Sequence, residues 1–131
     1  MPGGFKWSDR SLKNLKGIHP DLRKVADLAL QLTHVDFAVT EGKRTKERQI
    51  QLVKQGASKT LDSRHIQGMA IDVVDMGASY GKERMIQISM AFKEAAKLLS
   101  IPIVWGGDWK SFKDTPHFEL DKKKYPNVKA H

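Results

Sequence analysis

Two segments of this chain carry residue types that can do chemistry together. Ser63-Arg64-His65-Ile66-Gln67-Gly68-Met69-Ala70-Ile71-Asp72 supplies an imidazole and then a carboxylate. Asp114-Thr115-Pro116-His117 supplies a second imidazole, with another carboxylate three residues before it. His65, Asp72 and His117 form a set of two nitrogen donors and one oxygen donor, which suits a single zinc ion with one position left open. Asp114 is then the candidate general base, acting on water that such an ion acidifies to a pKa of about 7. The chemistry predicted is metal-assisted hydrolysis.

Each residue also has a plainer reading. His65 can be a turn residue, and His117, between Pro116 and Phe118, can be a satisfied core histidine. Asp114 can simply form the turn in Lys-Asp-Thr-Pro. Asp72 is harder to set aside, because a carboxylate in an otherwise apolar strand is costly without a cation or strong donors. Asp75, near the strand end, suits a turn or cap. Arg44, in Glu41-Gly42-Lys43-Arg44-Thr45, can steady negative charge on an attacked carbonyl oxygen, or else is a solvent-exposed arginine at a helix start. Ser63 either bonds substrate or shapes the loop that presents His65. His19, His34 and His131 receive no role.

The elements that must position these groups can be read from patterning. Met1 to Trp7 reads as a loose N-terminal arm, and Ser8 can cap a short helix ending near Gly17. Pro20 suits a first helical position, with Leu22, Val25, Ala29 and Leu32 recurring at helical spacing. Val35, Phe37 and Val39 alternate with Asp36, Ala38 and Thr40 as in a half-buried strand. Thr45 can cap a helix that stops at Gly56, with Ile50 and Val53 inward. Ala57 to Gln67 reads as a loop and Met69 to Val74 as a strand. A long helix comes next, with Met85, Ile88, Phe92, Ala95 and Leu99 on one face. Ile101 to Trp105 and Pro116 to Leu120 are two further strands around a Gly-Gly-Asp turn.

The expected architecture is α+β: a single compact domain over residues 1–131, with helices covering one face of a mainly antiparallel sheet. Period-two alternation puts Asp72 on one face with Ala70 and Val74, and His117 on one face with Glu119. Neighbouring strands would then aim Asp72 and His117 at one point, with His65 reaching in from the preceding loop.

Composition narrows the function classes. The chain has 131 residues, 40% of them hydrophobic, enough for a core of its own. It has no cysteine, which removes disulfides and thiolate metal sites. Apolar runs do not exceed three residues, so neither a membrane span nor a signal peptide is expected, and synthesis in the cytoplasm follows as an expectation. The net charge of +8 favours polyanionic partners, an anionic cell envelope among them. Lys122-Lys123-Lys124 is read as a solvated surface run.

Taken in order, these motifs resemble the zinc peptidases that include D-alanyl-D-alanine carboxypeptidases and bacteriophage L-alanyl-D-glutamate endopeptidases. The resemblance runs from about Phe37 to Leu120. Beyond the two segments above it includes Gly42-Lys43-Arg44-Thr45 with Gln49, Gly56-Ala57-Ser58-Lys59-Thr60, Trp105-Gly106-Gly107-Asp108-Trp109 and Phe118-Glu119-Leu120. It implies that His65, Asp72 and His117 bind one Zn2+ and that Asp114 is the catalytic carboxylate. The acid is shorter than the Glu of several relatives and matches the phage enzymes. It also implies that Arg44 stabilises the transition state and that Ser63 lies on the substrate side. The implied fold is hedgehog/DD-peptidase-like.

In function, the resemblance implies a peptidoglycan hydrolase of the bacteriophage endolysin type, cutting the L-alanyl-D-glutamate bond of the stem peptide during host cell lysis. It would be a monomer, without membrane insertion, that depends on a separate membrane-permeabilising protein to reach the wall. One alternative is a carboxypeptidase that trims terminal D-alanine from the stem peptide. A distant one is a small basic nucleic-acid-binding domain, disfavoured because no groove-reading helix motif is evident and the basic residues are not focused on one element.

Overall fold

The computed structural model describes residues 4–57, 63–77, 79–111 and 113–126. Ser8 opens α1 (Asp9–Leu15) by accepting a hydrogen bond from the Ser11 backbone N–H. His19 caps α2 (Pro20–Leu32), its Nδ1 accepting from the Asp21 N–H, with Pro20 at the first helical position. Thr45 caps α3 (Lys46–Lys54) by accepting from Arg48, and Gly56 follows its end at φ +77°. The long helix α4 (Lys82–Leu99) ends on Ser100 in the left-handed conformation.

Four strands, β1 (Phe37–Glu41), β2 (Ala70–Asp75), β3 (Ile103–Trp105) and β4 (His117–Leu120), form one sheet in the order β1-β2-β4-β3. Every pairing is antiparallel, so the expected α+β architecture stands. The Gly-Gly-Asp turn is a short 3-10 helix, Gly106–Asp108.

Alternation sorts the strand residues between faces. Ile71, Val73, Phe118 and Leu120 are fully buried in a core shared with Leu22, Val25 and Ala29 of α2 and with Met85, Ile88, Phe92 and Ala95 of α4. Phe92 stacks on Phe118 with ring centroids 4.0 Å apart, which fixes α4 against β4. With Phe118 turned into the core, its neighbours His117 and Glu119 must project from the other face.

Several boundaries differ from the sequence pattern. β1 begins at Phe37 rather than Val35, and Ile101 and Pro102 precede β3. Phe5 and Trp7, read as part of a loose arm, are partly buried against the core. Trp7 meets Phe37 edge-on and donates its indole N–H to Asp27 at 2.8 Å. On α3 the inward residue is Gln49, not Ile50, which is 43% exposed. Leu99 also turns outward at the end of α4, where no further turn of helix continues its stripe. The expected loop is described only at Ala57 and from Ser63 onward, so Ser58-Lys59-Thr60 of the proposed motif lie outside the described residues, as does His131.

Candidate metal centre and active site

The register between β2 and β4 pairs Asp72 directly with His117, and Ala70 with Glu119. On the other side of β2, Asp72 pairs with Glu41 of β1 across a bulge between Val39 and Glu41. One level of the sheet therefore carries Glu41, Asp72 and His117 on three adjacent strands. His65 arrives from the turn of residues 64–68, which packs beside the Gly42–Arg44 segment through the bond from Arg44 N–H to His65 O at 2.9 Å.

Two glycines let these segments lie close against the end of α1 and the turn that follows it. A Cβ on Gly42 would sit 1.8 Å from the Asn14 carbonyl oxygen. One on Gly68, at φ +72°, would lie 2.7 Å from the Gly17 oxygen.

The three predicted ligands converge. His65 Nε2 lies 3.4 Å and His117 Nδ1 3.3 Å from the same oxygen of Asp72, Oδ1. One donor atom from each residue lies within 4.8 Å of the other two. The remaining ring nitrogens are engaged: His65 Nδ1 with Gly42 O at 2.9 Å, and His117 Nε2 with Glu119 Oε1 at 2.9 Å. Gly42 O can only accept, so His65 carries its proton on Nδ1, leaving the Nε2 lone pair toward Asp72. The Glu119 carboxylate likewise accepts from His117 Nε2–H, which turns Nδ1 toward Asp72 Oδ1. Two imidazole nitrogens and a carboxylate oxygen facing one point, each ring held from behind, are the donor set and support that a divalent metal requires.

The electrostatics agree. Burial alone would raise the Asp72 carboxyl, but hydrogen bonds and charge from His117 and His65 outweigh it and hold the group well below the usual carboxylate range. Burial would lower His117, yet Asp72 and Glu119 together push it up to about 9. At neutral pH both ring nitrogens of His117 then carry protons, and a metal binding here would displace the one on Nδ1.

Asp114 stands at the edge of the same cluster. Burial, and then the Asp72 charge, raise its carboxyl above the ordinary value, against the opposing pull of His117, His65 and Arg44. Its backbone is tightly placed: Asp114 N–H donates to Gly106 O and His117 N–H to Asp114 O, each at 3.0 Å. A Cβ on Gly106 would fall 2.2 Å from Asp114 O, and one on Gly107 2.3 Å from the Trp105 ring. The Trp105 indole donates to Thr115 O at 2.7 Å and pins the turn from its other side. Trp109 lies tilted over His117 with centroids 5.2 Å apart, whereas Asp108 is turned to Lys93 at 2.8 Å.

Arg44 is not the solvent-exposed residue of the plainer reading, since its side chain is 9% exposed. Glu41 grips it in a two-pronged ion pair, Nε to Oε1 at 2.8 Å and Nη2 to Oε2 at 2.7 Å. Nη1 donates to Gln49 Oε1 at 2.7 Å and, more weakly, to Ser63 Oγ at 3.4 Å. Ser63 Oγ also accepts from the His65 N–H at 3.2 Å, so it shapes the loop that presents His65. Asp75 is fully buried at the far end of β2 and accepts from Ser79 and Tyr80, the cap expected of it.

Glu41, Arg64 and Glu119 take part in this site although residue type alone did not single them out. For Glu119 the signal was present: it stands two residues from His117, on the same strand face. Glu41 becomes legible only with the bulge in β1, and Arg64 only once its partner across the fold is known.

The geometry has counterparts among known proteins. A model of the phage L-alanyl-D-glutamate peptidase family matches residues 3–127. The L-alanyl-D-glutamate peptidase of Escherichia phage T5 is 36% identical over 132 residues, covering 92% of this chain and 93% of that protein. The peptidoglycan L-alanyl-D-glutamate endopeptidase CwlK of Bacillus subtilis (strain 168) is 34% identical, over 79% of this chain and 73% of its own. Among solved structures, the L-Ala D-Glu endopeptidase ChiX of Serratia marcescens superposes with a TM-score of 0.88 at 44% identity, covering 94% of this chain and 95% of that one.

Proposed function

The chain belongs to the phage L-alanyl-D-glutamate peptidase family, and on that premise we propose that it is a zinc-dependent endopeptidase that cuts the L-alanyl-D-glutamate bond of the peptidoglycan stem peptide. The observation that carries the reading is the convergence of His65 Nε2 and His117 Nδ1 on Asp72 Oδ1. His65, Asp72 and His117 would hold one Zn2+. When bound, the ion supplies a Lewis acid that acidifies water and polarises a carbonyl.

The remaining steps belong to the chain's own side chains. Asp114, its carboxyl raised by burial and by Asp72, accepts a proton from the attacking water and returns it to the leaving amine of D-glutamate. Arg44, held rigid by Glu41 and Gln49, places a fixed positive charge beside the oxyanion that forms on the alanyl carbonyl. Ser63 keeps the His65 loop in place against the substrate side.

A role as an endolysin in host cell lysis is supported by the likeness to the phage enzymes. No described helix is long and apolar enough to cross a membrane. The same proposal has the enzyme act as a monomer and reach the wall through a separate membrane-permeabilising protein.

Digestion of purified sacculi by the zinc-loaded protein, read by mass spectrometry, tests the reading. The expected products carry new D-glutamate amino termini. Release of free D-alanine without them would show a carboxypeptidase instead.

A further inference from the structure

We propose that Glu119 is a positioning residue of the metal centre: braced by Arg64, it fixes His117 with Nδ1 free for the ion. This inference rests on the reading that His65, Asp72 and His117 take a metal. Glu119 Oε1 lies 2.9 Å from His117 Nε2, while Oε2 lies 3.2 Å from Arg64 Nε. Arg64 is itself anchored by donating from Nη2 to Leu120 O at 2.7 Å. All three side chains are nearly buried, His117 and Glu119 at 8% and Arg64 at 4% exposed, so water does not substitute for these contacts.

The chemistry demands a carboxylate here. An ionised carboxylate accepts at both oxygens and can serve two donors at once, His117 Nε2–H on one side and Arg64 on the other. An amide has one acceptor. If Arg64 takes it, the amide NH2 faces His117 Nε2, which must then accept, and the ring proton moves to Nδ1, where the metal should bind. Glu119 therefore selects the tautomer, and its charge offsets Arg64 next to a dication.

The pair also has a geometric consequence. Arg64 directly precedes the ligand His65, and Glu119 stands two residues after the ligand His117. Their ion pair joins the loop and the strand that carry the two imidazoles, which lie far apart in the chain.

The test uses the purified chain stripped of metal, titrated with Zn2+ alone against a chelator, for the parent and for Glu119→Gln, Glu119→Ala and His65→Ala. Ring-nitrogen NMR of the metal-free proteins, at a pH where the His117 ring is neutral, reports its tautomer, and thermal unfolding confirms the fold. The expected result is affinity weakened about tenfold in Glu119→Gln and up to about a hundredfold in Glu119→Ala. In Glu119→Gln the His117 proton should shift toward Nδ1. Should Glu119→Ala fail to fold, Glu119→Gln, which keeps the volume, carries the test. Folded Glu119→Gln with parental zinc affinity and an unchanged tautomer overturns the proposal while leaving the ligand assignment intact, provided His65→Ala has lost the metal. A parent chain that binds no zinc overturns both.

Discussion

Asp72 and His117 face each other across β2 and β4, with Oδ1 and Nδ1 3.3 Å apart, and this pair is the hinge of the whole site. A one-residue slip in that register would turn His117 into the core and Phe118 out of it. The Phe92–Phe118 stack and the buried Leu120 oppose such a slip. Core packing thus sets where the imidazole points, and the site inherits its geometry from the hydrophobic pattern.

Asp114→Ala should lower hydrolysis of murein by about 100- to 10,000-fold, the range that a positioned proton-transfer group contributes. The variant should still bind about one zinc, because Asp114 is outside the ligand set. Parallel activity and metal assays check this, and full activity in Asp114→Ala would remove the carboxylate from the mechanism.

His65→Ala and His117→Ala should lose metal and activity together, since each removes one of three protein ligands. Elemental analysis of dialysed protein, set beside sacculus clearing, gives the readout. Retained zinc in either variant would contradict the ligand assignment.

Much of this site is legible in the sequence. Period-two alternation places Asp72 and His117 on the right faces because Ile71, Val73, Phe118 and Leu120 form an unbroken apolar set on the other. The short elements are harder. On α3, Gln49 displaces Ile50 as the inward residue because the buried guanidinium of Arg44 needs an acceptor there, a requirement no hydrophobic periodicity expresses. The partners of the imidazoles, Gly42 O and Glu119, depend on contacts between segments distant in sequence. Spacing within one segment is silent about them.

Gly106→Ala should cut turnover by about a hundredfold while leaving the fold in place, because the added methyl carbon would press into the Asp114 carbonyl and push the base out of position. A kcat and KM comparison, with circular dichroism as a control, separates this from unfolding. Parental kcat would show that the Asp114 turn tolerates the shift.

Arg44→Lys should behave as a severe substitution. Lysine cannot reproduce the two-pronged pairing with Glu41 or the simultaneous bond to Gln49. A loss of about a hundredfold in kcat, with zinc content unchanged, is expected for removing a placed oxyanion donor. Near-parental kcat in Arg44→Lys would show that the fork geometry is not needed at the oxyanion.

Asp75, at the end of the sheet away from the proposed metal ligands, should contribute to stability against acid. Burial would raise its carboxyl, but the hydrogen bonds from Ser79 and Tyr80 and the charge of Arg84 hold it below its ordinary value. A depressed folded-state value contributes stability that is present above the unfolded carboxylate range and is lost as pH falls through the folded value. Asp75→Asn should therefore cost roughly 2–3 kcal/mol at neutral pH, through weakened bonds to a buried charge. The difference from the parent should shrink toward acid, as followed by urea unfolding at several pH values. A gap that stays constant down to strongly acid pH would contradict this assignment.

The most direct measurement of the central claim is stepwise addition of Zn2+ to the metal-stripped protein while cleavage of purified murein is followed. Zinc held by His65, Asp72 and His117 predicts no activity at the start, recovery that saturates at about one equivalent per chain, and no recovery in His65→Ala. Full cleavage by the metal-free protein, or recovery in the variant equal to the parent's, would contradict it.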